Sequence, residues 1–345
     1  MSINLSKAKT NEIELQKGKN CAIIKMEFEK RGENRMKQHA SNWLTKTWAV
    51  ALVAFLCSAL WGSAFSGVKI GYTLLKIEAS DWASQLVFAG ARFFLAGCMA
   101  FLMGSAAQRK LLLPSVQAMP KILIISCFQT ILQYLFYYIG LAHTTGVNAA
   151  IIVAANVFAA ILIASLLFRI EKLTAAKVIG CIIGFSGILL VHCSGLQGGM
   201  HLNLLGDGFI FLCTIASGFS SVFMKKYSAQ ENPVLLSSWQ FCLGGLVMGV
   251  VGLLFGGSIQ LVTPAAWGIL LYLAFVSAAA YSMWALLLKY NPVSKVTVFG
   301  FLNPICGVVL SGIFLKETSS FGILGMLALV LVCVGIFIVN RCQES

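Results

Sequence analysis

The chain has 345 residues, 59% of them hydrophobic and 11% charged, with a formal net charge of +13 and a mean hydropathy of +0.86. Soluble domains carry about one quarter charged residues. The composition therefore excludes a soluble enzyme or a nucleic-acid-binding module, despite the positive charge, and points to a polytopic membrane protein.

Residues 1–46 are polar and hold ten Lys/Arg and five Glu. They contain no apolar core of signal-peptide length, and their composition predicts a disordered cytoplasmic tail. Met36 opens a short basic leader, Met36-Lys37-Gln38-His39, and is a second candidate start.

From residue 47 onward the chain is a series of apolar runs. A helix needs about 20 residues to cross the hydrocarbon. The pattern predicts an all-α integral membrane fold with ten transmembrane helices, at 48–68, 84–105, 121–142, 147–168, 174–193, 206–224, 235–256, 266–287, 296–315 and 321–340. Pro114, Pro120, Pro233, Pro264 and Pro292 fall in the predicted connections, where proline interrupts nothing. With the amino terminus inside, 21 Lys/Arg lie on the cytoplasmic side and three (Lys69, Lys76, Lys316) outside, while Arg92 lies within a span. This asymmetry predicts both termini in the cytoplasm of a plasma membrane protein. The eleven cysteines show no paired ligand spacing, so neither a zinc site nor a disulfide framework is expected.

An internal repeat is visible. Leu60-Trp61-Gly62-Ser63 through Lys69 aligns with Ala216-Ser217-Gly218-Phe219 through Lys225. Arg92-Phe93-Phe94-Leu95-Ala96-Gly97 aligns with Gln240-Phe241-Cys242-Leu243-Gly244-Gly245, and the run ending at Glu171 aligns with the run ending at Glu317. The organisation expected is a tail at 1–46 and two five-helix repeats at 47–195 and 204–341. Five is odd, so the second repeat is inserted upside down. Inverted repeats with a site near the bilayer midplane are typical of secondary transporters.

Trp61-Gly62-Ser63 followed by Lys69, the pair Arg92-Phe93, the run Glu171-Lys172-Leu173-Thr174, and Asn303-Pro304 with Glu317 thirteen residues on resemble the EamA family of the drug/metabolite transporter superfamily. The resemblance covers residues 47–340. It implies ten helices in two inverted bundles around a central cavity, and movement of small metabolites or amino acids, often outward. The sequence departs from symmetry at Phe158, which stands where alignment on the two glutamates would put a mate for Pro304.

Several polar residues within the predicted spans are candidates for the substrate path. Arg92 lies about 12 Å inside its span, where a charge costs at least about 2.5–3.5 kcal/mol. It either attracts a substrate carboxylate or bonds structurally to a neighbouring helix; its repeat mate is the neutral Gln240. Gln129, Gln133 and Tyr137 recur at helical spacing on the third span, and Ser277, Tyr281 and Trp284 on the eighth. Amides and hydroxyls within a bilayer turn toward protein or a water-filled cavity. Trp61, Ser63, Asn148, Asn156 and Trp239 are further candidates. Pro304 is the only proline inside a predicted span. It leaves the Gly300 carbonyl without its helical donor, and Asn303 beside it offers both donor and acceptor. Pro304 and Gly300 are the expected hinge. Phe158 supplies no second hinge by symmetry.

No Asp or Glu lies in the interior of a predicted span, since Asp207, Glu171 and Glu317 all sit at span ends, which disfavours a proton-coupled exporter of lipophilic cations. A single buried Arg is few for a phosphorylated substrate. The function expected is a secondary transporter, an exporter or permease of small neutral or zwitterionic metabolites such as amino acids. Drug or cation efflux and a channel-like pore are the alternatives. No catalytic residues, metal or cofactor are expected. The partners expected are a small-molecule substrate, the lipid bilayer and a homodimer mate, with no nucleic acid.

Overall fold

The computed structural model describes residues 43–78, 80–143, 152–192, 204–315 and 323–341. Asn148, Glu317, the tail to residue 42 and the loop at 193–203 lie outside the described residues. The chain divides into two compact units, Met1–Ala49 and Val50–Ser345. In the first, Trp43 and Trp48 meet edge to face at 5.8 Å.

Among the described residues every regular element is a helix. They are α1 (Thr47–Leu75), α2 (Trp82–Gln108), α3 (Met119–Ile125, then Gln133–His143), α4 (Asn156–Leu162), α5 (Ala175–His192), α6 (Leu204–Ser228), α7 (Pro233–Leu254), α8 (Pro264–Tyr290), α9 (Val293–Thr297, then Leu302–Leu315) and α10 (Ile323–Arg341). Among them six stretches are long and apolar enough to cross a membrane: α1, α2, Met119–Gly140 of α3, α6, α7 and α8. Ile152–Leu167, Ala175–Gly187 and Val330–Arg341 are shorter apolar helices.

Local chemistry sets the helix starts. Pro233 and Pro264 open α7 and α8, where the missing N–H is harmless and the fixed φ suits a first turn. Asp81, Asn232 and Thr263 cap α2, α7 and α8 through their own side chains, satisfying first-turn amides that have no helical acceptor.

Three helices are irregular. The two halves of α3 are joined by a π-helical stretch, Ser126–Leu132. The two halves of α9 are joined by a 3₁₀ stretch, Val298–Phe301. In α4 a turn at Ala155, whose N–H bonds to Ile152 O at 3.0 Å, precedes Asn156–Leu162, and a π-helical stretch Ile163–Leu167 follows.

The α9 break modifies the expected hinge. Pro304 sits in the first turn of Leu302–Leu315, and the interruption lies just before it. The Gly300 carbonyl receives the Leu302 N–H instead of a helical bond. The first half is interrupted as well, contrary to the expectation drawn from Phe158. Ala155 is the residue that aligns with Phe301 when Phe158 is set against Pro304. Proline is one way to break a helix, but not the only one: here the turn at Ala155 forms without it.

α2 and α7 pack against each other antiparallel along most of their length. A β-carbon at Gly97 would stand 2.6 Å from Cys242 N and 2.7 Å from Ser238 O; one at Gly245 would stand 2.4 Å from Phe94 N and 2.7 Å from Gly90 O. The two sets are mates under the repeat alignment of Arg92 with Gln240. Contacts that exchange in this way are those of a two-fold relation. Toward the other end, a β-carbon at Gly252 would stand 2.7 Å from Ala83 O. Gly180 and Gly184 of α5 are also packing notches: β-carbons there would stand 2.8 Å from Gly335 O and 2.6 Å from the Phe301 ring. Absent side chains let helix backbones approach closely, the usual packing device within membranes.

Candidate functional site

Arg92 is 5% exposed in the middle of α2. Its Nε donates to Ser277 Oγ on α8 at 3.1 Å, and Ser277 Oγ donates to Leu273 O at 3.0 Å. The guanidinium carbon lies 5.1 Å from the centre of the Phe93 ring. Among the described residues no carboxylate pairs with it. The phenols of Tyr72, Tyr134, Tyr137, Tyr138 and Tyr281 lie in its neighbourhood instead.

Aromatic rings wall this region. Trp61 of α1 stands edge-on to Tyr281 at 5.0 Å and to Trp284 at 5.1 Å. Phe93 stacks on Phe241 at 5.2 Å and touches Tyr134 at 4.4 Å. Phe241 meets Tyr281 edge to face at 4.9 Å. The Tyr134 and Tyr281 hydroxyls are 2.9 Å apart, with Gln133 close to Tyr281. The Trp61 Nε1 is buried without a hydrogen-bond partner among the described residues.

A second polar group lies between α3 and α7. Thr130 Oγ1 donates to Gln240 Oε1 at 2.6 Å. This pair is the repeat mate of Arg92 with Ser277, since Thr130 and Ser277 are separated by the same offset as Tyr134 and Tyr281. Gln240 Nε2, Gln129 Oε1, Ser126 Oγ and Ser237 Oγ are buried here without partners among the described residues. Buried polar atoms in native proteins are satisfied as a rule, so these atoms suit water or a polar ligand.

A third group lies between α4 and α9. A β-carbon on Gly300 would be 3.4 Å from Val157 and 3.7 Å from Asn156 Oδ1. Asn303 Oδ1 is buried without a partner among the described residues, and Pro304 adjoins it.

The fold thus gathers Trp61, Arg92, Gln133, Tyr281 and Trp284, with Tyr137 beside Tyr138 at 5.8 Å. Gln129 and Gln240 form the second group, and Asn156, Gly300, Asn303 and Pro304 the third. Ser63 is not in any of them: its hydroxyl bonds Leu60 O and Tyr272, both at 2.7 Å. Trp239 is also apart, donating to Leu112 O at 2.8 Å near the end of α2.

Sequence reasoning missed Tyr134, Tyr72, Tyr138 and Thr130. The regular stripe through Gln129, Gln133 and Tyr137 assumes an unbroken α-helix. The π-helical stretch adds residues to each turn and brings Tyr134 round to the site. The repeat alignment was the available signal, because it sets Tyr134 against Tyr281.

The comparisons agree with this architecture. Residues 44–193 and 204–341 each match the EamA-like transporter family. An uncharacterised transporter of Bacillus subtilis, YvbV, is 27% identical over 88% of this chain and 94% of its own. An uncharacterised transporter of Archaeoglobus fulgidus is 25% identical over 84% of this chain and 98% of its own. A solved crystal structure, 17% identical, superposes with a TM-score of 0.69 over 86% of this chain and 99% of its own, and so shares the fold. With the family matched twice and the buried polar sites formed between apolar helices, the chain belongs to the EamA-like transporter family and is a multi-pass membrane transporter.

Proposed function

We propose that the protein is a secondary transporter of small neutral or zwitterionic metabolites, amino acids foremost, working by alternating access. In this reading the chain crosses the plasma membrane ten times, as two inverted five-helix repeats at 47–195 and 204–341. The tail at 1–46 and both termini are cytoplasmic. The antiparallel α2–α7 contact between repeat mates supports the inversion, because mates that run in opposite directions are what an upside-down second copy produces.

One observation carries the substrate class. Arg92 is a buried guanidinium whose polar partner is a neutral serine hydroxyl and whose surroundings are aromatic. A charge so placed gains from an anion that can enter and leave, and a carboxylate matches the guanidinium fork. The aromatic walls formed by Trp61, Tyr281, Trp284 and Phe93 suit the apolar body of a metabolite.

The test is uptake into proteoliposomes, screening amino acids and other small metabolites with and without an imposed pH gradient. Saturable uptake of a carboxylate-bearing solute is expected. Steady ion conduction without solute uptake would favour a channel-like pore, and uptake confined to lipophilic cations would favour drug efflux. Orientation is tested separately: Gly198→Cys should react with an impermeant maleimide in whole cells, and reaction only after permeabilisation would reverse the topology.

A further inference from the structure

Glu171 lies in the link between α4 and α5, with its side chain 8% exposed. Its carboxylate reaches across to the start of α9. One oxygen accepts the Val293 N–H, and the other accepts the Ser294 hydroxyl. The Ser294 N–H lies 3.3 Å from each oxygen. Lys177 Nζ, 6% exposed, completes the shell at 3.0 Å and also donates to Lys172 O at 2.8 Å.

This arrangement differs from every other capped start described above. α2, α7 and α8 are capped by the residue that precedes them. The residue before α9 is Pro292, which has no side-chain acceptor. The Val293 and Ser294 amides are instead satisfied by a carboxylate 122 residues before Val293, in the other repeat. The same turn is held from a second side. Lys225 of α6 donates to Lys289 O at 3.1 Å and to Asn291 O at 2.7 Å, at the end of α8. Anion meets amides and cation meets carbonyls, the pairing that helix ends favour.

We propose that Glu171 is the latch of the inner gate: its bonds to Val293 and Ser294 hold the cytoplasmic ends of the two repeats together, and they break when that side opens. The proposal rests on the inverted-repeat, alternating-access reading above. The positive-inside distribution puts Glu171, Lys177, Lys225 and Lys289 at the cytoplasmic face. A clasp between repeats there cannot survive an opening between them. At the membrane edge, water can replace each lost bond, so release leaves no charge stranded in hydrocarbon. An internal cap from Asp, Asn or Thr would hold α9 equally well in every state. A cap from the opposite repeat makes the order of α9 depend on closure.

Spin labels at Ile170 and Tyr290, in the full-length chain with its native cysteines replaced and in lipid nanodiscs, read the gap across the clasp. With Glu171 intact the short distance should dominate. Glu171→Gln should move the population toward a longer distance by about tenfold or more, as expected when charge-assisted bonds are lost. Ser294→Ala should move it the same way by less. Pro292→Asn gives α9 a cap of its own and should loosen the clasp while the unfolding temperature is kept. A purely structural cap would lower the unfolding temperature in Glu171→Gln and leave one short distance in all three variants; that result overturns the proposal. If Glu171→Gln does not fold, Ser294→Ala and Pro292→Asn decide the matter between them. Failure of the wild type to transport any solute counts against the transporter mechanism, whereas a fixed short distance in a protein that does transport counts against the latch alone.

Discussion

Tyr134 and Tyr281, 147 residues apart, are repeat mates that hydrogen-bond to each other hydroxyl to hydroxyl at 2.9 Å. A residue and its own mate can meet only on the axis that relates the two repeats. The pair therefore marks the pseudo-two-fold axis of the molecule. Arg92 with Ser277 lies to one side of it and Gln240 with Thr130 to the other. The two pairs are mates in position, but only one of them carries a charge.

This asymmetry makes Arg92→Gln a mild and informative change, since it writes the chemistry of one side onto the other. The protein should remain folded. Apparent affinity for a carboxylate-bearing substrate should fall about ten- to a hundredfold, equivalent to about 1.5–3 kcal/mol for a bond to a charged group. Uptake kinetics in proteoliposomes, beside size-exclusion profiles, measure both. Loss of monodisperse protein would make Arg92 a structural residue bonding α2 to α8.

The α2–α7 crossing should tolerate a methyl group at one glycine and not at its neighbour one turn away. Gly245→Ala would drive a β-carbon to 2.4 Å from the Phe94 amide, which is backbone and cannot step aside. Overpacking of this kind costs typically about 1–3 kcal/mol. A β-carbon on Gly249 meets only Gly90 Cα, at 4.0 Å, an ordinary contact. Thermal unfolding in detergent should show a clear drop for Gly245→Ala and little change for Gly249→Ala. Equal behaviour of the two would contradict the packing described.

The α9 interruption should govern turnover rather than affinity. Pro304→Ala returns a donor to the Gly300 carbonyl and should extend Leu302–Leu315 back through the 3₁₀ stretch. Transport should slow with binding preserved. Asn303→Ala removes a buried amide oxygen that has no partner among the described residues and should weaken binding if substrate uses it. Equal losses of binding in both variants would point to one local packing defect. Because α4 is also interrupted, at Ala155, neither variant is expected to abolish transport.

Asp81 gives a pH-dependent contribution outside the spans. The Ser84 hydroxyl, and the Ser84 N–H at 2.9 Å, hold its carboxyl below the usual carboxylate range. A group whose folded value is depressed stabilises the protein above its unfolded value, and that stability is lost as pH falls through the folded value. Asp81→Ala should therefore lower stability by about 1 kcal/mol at neutral pH, the usual worth of such a cap. The difference from wild type should shrink below the ordinary Asp range. A pH-independent difference in unfolding temperature would show that the cap does not act through its charge.

The sequence by itself determined the membrane class, the repeat, the exclusion of Pro233 and Pro264 from helix interiors, and the presence of one charge, Arg92, within an apolar run. These follow from composition, from proline stereochemistry and from the cost of a charge in hydrocarbon, all of which act locally or through simple spacing. The tertiary structure decided which polar residues meet. The π-helical stretch of α3 turned Tyr134 into the site, a rotation that a strict 3.6-residue period cannot reveal. Ser63 faced Tyr272 because its neighbour Trp61, two residues earlier on α1, takes the side that meets Tyr281. The break at Ala155 arose without a proline, and so left no mark in the residue types. The role of Glu171 also waited for the structure. In sequence it is one carboxylate at the end of an apolar run; its partners at Val293 and Ser294 include backbone amides, whose availability depends on where a distant helix begins.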